Sequence, residues 1–261
     1  MTLDDDLARY YDLDLADDPG DIDLYRALAA RTGGPVLELG VGTGRIAVPL
    51  AESGLRVVGV DRDPAMLARA ARRWAERGAA RPAARKGHLD LVEGDLFDLR
   101  LEERFALAIL GLNSLFLFGD PSRQAEAVAI MARHLAPGGL AAIDVFVPSV
   151  EDLAQYDGRL VLEWVRVDPE RPATQVAKTG SAAYDPATRC LELTSMFDAW
   201  PAAGGPVERR MRCDVLHLTS AAEVAGFAAR AGLAVEEIAG DHDMSPFGSG
   251  SGRAVVVAAL V

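Results

Sequence analysis

Glu38, Gly40, Gly42, Gly44 and Asp61 are the residues whose types and spacing can do chemistry. The glycines alternate within VLELGVGTGRIAVPL, Val36–Leu50, between an apolar run with the character of a buried strand and a stretch that turns helical. Glycine permits backbone angles that a side chain forbids, so a ligand can lie against bare backbone there. The helix from about Arg45 then aims its free N–H groups at whatever sits over the turn. By itself a Gly-x-Gly-x-Gly turn is unspecific, since any strand–helix unit needs one glycine to turn and another to pack. Glu38 sharpens it: a carboxylate two residues before the first glycine gives nothing to a phosphate, yet it offers a charge-assisted hydrogen bond to a cationic amino group. A second strand, RVVGVD, ends on Asp61 with Arg62 after it. Asp61 falls about twenty residues past the central glycine, where such folds hydrogen-bond a ribose diol.

That combination resembles the first motif of the class I S-adenosylmethionine-dependent methyltransferases and the acidic strand end that follows it. EGDLF, Glu93–Phe97, is similar to the family's acidic segment after the third strand, and HLAPGG, His134–Gly139, to its turn into the fifth. The resemblance covers residues 30–147 well and the remainder loosely. It implies S-adenosylmethionine as cofactor, with Glu38 at its amino group, Gly40, Gly42 and Gly44 beneath it, and Asp61 and Arg62 at its ribose. Asp95 would bind the adenine amino group with Leu96 as apolar neighbour, and Met66 either touches the adenine or belongs to the core. Small-molecule members often begin with a tyrosine pair, so Tyr11 closes over the methionine end, or Tyr10 and Tyr11 both pack a terminal helix onto the core. Leu112 and Asn113, after the fourth strand, lie where the transferable methyl would be. Members that methylate planar amides or nucleobase amines carry Asn or Asp, two prolines and an aromatic there; Asn113-Ser114-Leu115 departs from that pattern and argues against such substrates.

The chemistry asks little of the protein. A sulfonium-bound methyl is already electrophilic, so alignment and exclusion of water do most of the work. A base matters only if the nucleophile arrives protonated, and the candidates are His217 and His242, with Asn113 as a further acceptor-side residue. His134, near a helix end, reads as a dipole contact and His88 as a solvated residue.

These residues require an α/β doubly wound seven-stranded sheet with an antiparallel last strand. Asp63-Pro64 and Asp120-Pro121 each place a cap before a proline at the first helical position, and the second of these helices is expected to run to Pro137-Gly138-Gly139. The fifth strand, Leu140–Val147, carries Asp144, which must sit at an exposed strand end or have a partner. The lead-in, Leu3–Arg31, is acidic and aromatic; Asp14–Asp21 reads as a solvated loop before a helix at Asp23–Arg31, and Arg77–Gly87 as a basic, alanine-rich connection. After Pro148, VLEWVRV, TQVAKTGSAAY and RCLELTSMF alternate like antiparallel strands. Residues 149–211 are therefore expected to be a small antiparallel β lid inserted after strand five, selecting the substrate over a cofactor-binding core of residues 1–148 and 212–261. Ser220 with Glu223 marks a capping box, and LAVEEIAG and GRAVVVAAL form a closing hairpin.

Composition bounds the rest. The chain has 261 residues, 50% hydrophobic and 25% charged, with a formal net charge of −12. That charge argues against nucleic acid, while neutral or cationic small molecules remain open. Two cysteines without metal-ligand spacing point to reduced thiols and no metal site. There is no membrane-length apolar run and no signal pattern at Met1–Asp6, so a cytoplasmic protein is expected. The expected function is methyl transfer to a small-molecule acceptor, nitrogen favoured, with a homodimer compatible with the sequence. The alternatives are a nicotinamide-dependent oxidoreductase and a non-catalytic S-adenosylmethionine-binding protein.

Overall fold

The computed structural model describes residues 4–17, 19–79 and 87–261. In chain order the helices are α1 (Asp5–Asp14), α2 (Ile22–Thr32), α3 (Ala47–Glu52), α4 (Pro64–Ala79), α5 (Pro121–His134), α6 (Val150–Gln155) and α7 (Ala221–Arg230). The strands are β1 (Val36–Leu39), β2 (Arg56–Asp61), β3 (His88–Glu93), β4 (Phe105–Leu110), β5 (Leu135–Phe146), β6 (Asp157–Val167), β7 (Thr174–Asp185), β8 (Cys190–Pro201), β9 (Glu208–His217), β10 (Leu233–Ala239) and β11 (Arg253–Leu260). One sheet of seven runs β10-β11-β5-β4-β1-β2-β3, and a second of four runs β6-β7-β8-β9. β1 to β5 are mutually parallel, whereas β11 is antiparallel to both β10 and β5. The doubly wound sheet and its reversed last strand are as the sequence implied.

The large sheet is buried on both faces because its central strands are apolar apart from Glu38 in β1 and Asp144 in β5. Phe105, Phe116, Met131 and Phe227 fill one side, and Tyr25, Val36, Leu50 and Leu107 the other. Asp120 caps α5 by accepting the N–H groups of Ser122 (2.8 Å) and Arg123 (3.2 Å). Ser220 and Glu223 form the capping box that opens α7. α5 stops at His134, short of the expected Pro137-Gly138-Gly139, because Leu135 is already extended and pairs with Phe105 of β4.

The antiparallel insertion has four strands rather than three. β9 continues to His217, so the expected boundary at Met211 falls inside a strand that pairs with β8 along its length. ERRMRCDVLH conceals this edge strand because its alternation is inverted: Met211, Cys213 and Val215 face solvent, while Arg210, Arg212 and Asp214 are the half-buried side. One face of the small sheet covers α1, with Val176, Phe197 and Ala199 packed on Leu7, Tyr10 and Leu13. The lead-in is therefore a packed helix, and its acids are engaged: Asp14 accepts from Trp164 Nε1 (2.9 Å) and Lys178 Nζ (2.7 Å), and Asp12 from Arg69 and Arg73 (2.8 Å each). Asp21, expected in a solvated loop, is fully buried. The basic connection read at Arg77–Gly87 lies mostly at 80–86, outside the described residues, as does Leu3.

Candidate active site

The glycine loop leaves β1 in the left-handed backbone region three times, at Gly40 (φ 73°), Gly42 (φ 52°) and Gly44 (φ 76°). Gly44 is needed for packing as well, since a Cβ there would stand 3.1 Å from both Ala70 and Val48 side chains. Gly42 faces open space up to the Tyr11 ring, 4.0 Å from where a Cβ would lie. The Gly42 N–H donates to Asp61 Oδ2 (2.8 Å), which locks the loop to the end of β2.

A cleft over this loop is lined by Tyr11, Glu38, Gly40, Val41, Thr43, Arg45, Ile46, Gly111, Leu112 and Ser114. The structure thus brings together Tyr11, Glu38, Gly40 and Leu112 of the residues expected from sequence. Glu38 is buried, and its Oε2 has no hydrogen-bond partner. Burial pushes its carboxyl up to about 8, against the opposing pull of Arg45 and the Ala47 N–H. Arg45, which the sequence did not single out, is held in a two-point ion pair by Asp21, Nη1 to Oδ1 at 2.6 Å and Nη2 to Oδ2 at 2.5 Å. Tyr11 has its phenol raised by burial, with Arg45 and Arg212 drawing it back down. The Arg212 guanidinium lies 5.9 Å from its ring. The tyrosine pair divides its labour: Tyr10 stacks on Phe197 at 5.4 Å, while Tyr11 covers the loop.

The remaining expected residues surround the cleft without lining it. Asp61 sits at the end of β2 with Oδ1 accepting the Asp63 N–H (3.0 Å), and Arg62 beside it is exposed. Met66 is buried on α4. Asp95 is exposed and caps a 3-10 turn through Phe97 N–H (2.9 Å), whereas Leu96 enters the core.

The three acceptor-side candidates are placed differently from one another. Asn113 is turned into the end of the sheet, where its Oδ1 accepts the Phe146 N–H at 2.6 Å. His217 lies at the end of β9 beside Cys190 (3.7 Å), and the charges bearing on it are Arg189, Asp120 and Glu223, none of which lines the cleft. His242 is buried beneath the cleft, bonded to Asp144 Oδ2 (3.0 Å) and the Pro19 carbonyl (3.1 Å). Asp144 is completely buried and partnered, with Arg253 Nη1 donating to Oδ1 at 2.6 Å. Asp21, Asp144 and His242 come within 4.8 Å of one another, in a geometry that could hold a cation. Arg45 and Arg253 already neutralise the two carboxylates. His134 meets the end of α5 as expected, with Nδ1 facing the Ile130 carbonyl (2.8 Å) and Nε2 accepting Leu101 N–H (3.3 Å), while burial lowers its pKa. His88 is solvent-facing, 2.7 Å from Asp90.

Residues 36–139 match the family model described as a methyltransferase domain. The cypemycin N-terminal methyltransferase of a Streptomyces species is 33% identical over 153 residues, which span 59% of this chain and 57% of that protein. The chain is also similar in fold to CalS10 from Micromonospora echinaspora, described as an amino pentose methyltransferase bound to S-adenosylmethionine, at 22% identity, TM-score 0.70, covering 100% of this chain and 98% of that one. The sugar N-methyltransferase KedS8 from a Streptoalloteichus species aligns at 23% identity and TM-score 0.73 over 99% and 93% of the two chains. Residues 36–139 thus carry the matched methyltransferase domain, and the chain as a whole shares the fold of the methyltransferases it aligns with. The reversed β11 and the Glu38 carboxylate disfavour the nicotinamide alternative. No helix among the described residues is long and apolar enough to cross a membrane.

Proposed function

We propose that this protein is a class I S-adenosylmethionine-dependent methyltransferase that transfers the methyl group to a nitrogen atom of a small-molecule acceptor. The carrying observation is the cleft itself, which joins a buried carboxylate with an open oxygen, Glu38, to the Gly111–Ser114 turn at the carboxyl end of β4. Ligands of wound α/β sheets enter at those strand ends. Glu38 would hold the cofactor's amino group, the glycine loop its backbone, Asp61 and Arg62 its ribose, and Asp95 with Leu96 its adenine, with Tyr11 closing the methionine end. The bound cofactor supplies an electrophilic methyl; the chain aligns the acceptor and excludes water. Among the described residues no imidazole lines the cleft, and an amine that has shed its proton to water already presents a lone pair, whereas a hydroxyl would need a base. The names of two relatives, an N-terminal and a sugar N-methyltransferase, support nitrogen. The four-stranded sheet, with α1 beneath it, is the acceptor-selecting cover. The test is transfer of labelled methyl to a short peptide with a free N-terminal amine and to an amino pentose, each beside its N-acetylated form. Label in the free amines and not in the acetylated forms is expected; label appearing only on hydroxyl groups of the acetylated sugar would reverse the choice of nucleophile.

A further inference from the structure

The turn that follows β4 is strained where the acceptor must approach. Leu112 (φ 41°) and Asn113 (φ 65°) are consecutive non-glycine residues in the left-handed region, which side chains disfavour. Such strain persists only where surrounding contacts enforce it, and it gathers at functional sites. Here the enforcing contacts converge on one residue. Leu112 N–H points to Asp144 Oδ2 at 3.4 Å, and Asn113 N–H donates to the Asp144 carbonyl at 3.0 Å. Asn113 returns the tie by accepting Phe146 N–H, two residues beyond Asp144 on the same strand.

We propose that Asp144 is a positioning residue for methyl transfer, holding the Leu112–Asn113 turn against the cleft while His242 and Arg253 hold Asp144. This rests on the reading of the cleft given above, since Gly111, Leu112 and Ser114 line it. A carboxylate buried in a central strand is costly, and core packing alone would favour an apolar residue there. Its neighbours on β5, Ile143 and Val145, are apolar and fully buried. Asp144 is instead saturated, with Arg253 on Oδ1 and His242 on Oδ2, and the Tyr25 hydroxyl 3.4 Å from Oδ2. His242 also fixes direction. Its two ring nitrogens face two groups that can only accept, the Pro19 carbonyl and the Asp144 carboxylate, so the ring satisfies both only with both protons in place. The hairpin loop after β10, the segment before α2 and the end of β5 are thereby joined under the turn.

The experiment compares parent, Asp144→Ala, Asp144→Asn and His242→Gln, each verified as folded by circular dichroism. Calorimetry with S-adenosylhomocysteine reads the cofactor site, and the NMR resonance of bound S-adenosylmethionine carrying a carbon-13 methyl reads the transfer end without any acceptor. Asp144→Ala should keep its S-adenosylhomocysteine affinity within roughly threefold while shifting and broadening the methyl resonance. Asp144→Asn, which retains an accepting oxygen for Leu112, should restore it in part, and His242→Gln should fall between. With an amine that the parent methylates, kcat should drop roughly tenfold or more in Asp144→Ala with little change in cofactor KM. A methyl resonance unchanged in every folded variant would overturn the proposal, as would loss of S-adenosylhomocysteine affinity equal to the loss of turnover. Failure of the parent to bind S-adenosylhomocysteine would instead remove the reading of the cleft on which the proposal stands.

Discussion

Glu38 is the residue at which the site is unbalanced before ligand arrives. Its carboxyl titrates at about 8 in the folded chain because burial penalises the charge, against an ordinary value of 4.5. The folded state therefore holds a proton that the unfolded state has released between those values. Stability of the unliganded enzyme should fall as pH rises through that window, by about 1.4 kcal/mol for each pH unit crossed and a few kcal/mol in all. Glu38→Gln removes this slope, so the variant should match the parent near pH 4.5 and exceed it at pH 9 in urea unfolding. Parallel pH dependence in the two proteins would mean that Glu38 is ionised in the empty cleft. The motif around Glu38 was legible because its parts are neighbours in the chain. Arg45 was not, because its partner Asp21 lies 24 positions away in an acidic run that reads as solvated. Asp144 could be read only as lying at an exposed strand end or having a partner; Arg253, 109 positions on, gives no local sign of its role.

At the level of the element, the glycine loop does two separate things. Gly44 lets α4 approach, and Gly42 leaves room for a ligand beneath Tyr11, a distinction that their shared positive φ conceals. Gly42→Val puts a branched side chain at a φ of 52°, which costs about 1–2 kcal/mol, and places its methyl groups in the space under the Tyr11 ring. The fold should survive with a melting point lowered by several degrees, while S-adenosylhomocysteine affinity falls by roughly a hundredfold or more. Calorimetry beside a thermal melt checks this, and parent-like affinity in the folded variant would reduce Gly42 to a turn residue. Secondary structure was read well where caps and apolar period agreed, as at Asp120-Pro121 and Ser220. It was read poorly at β9, where the charged positions Arg210, Arg212 and Asp214 are the half-buried face and the apolar Met211, Cys213 and Val215 are exposed.

For the whole molecule, the question is whether the four-stranded sheet acts on the acceptor alone. The sequence places every named cofactor contact before Val147, apart from the sheet, but the structure inserts α1 between sheet and glycine loop, and α1 carries Tyr11. On one side α1 is tied to α4 through Asp12, Arg69 and Arg73; on the other it is tied to the sheet through Asp14, Lys178 and Trp164. Trp164 donates to Asp14 at 2.9 Å and lies 6.1 Å from Phe197, the ring on which Tyr10 stacks. Trp164→Ala removes the hydrogen bond and part of this aromatic contact, for a loss of stability of about 2 kcal/mol. Lys178 and Arg166 still hold the helix, the latter through the Leu13 carbonyl at 2.6 Å, so the variant should fold with α1 loosened and not lost. Because Tyr11 moves with α1, S-adenosylhomocysteine should dissociate severalfold faster, with association nearly unchanged. Stopped-flow fluorescence on the folded variant measures both rates. A parent-like dissociation rate, with only the acceptor KM raised, would show that α1 does not transmit the sheet's packing to the cleft and that the sheet serves the acceptor side by itself.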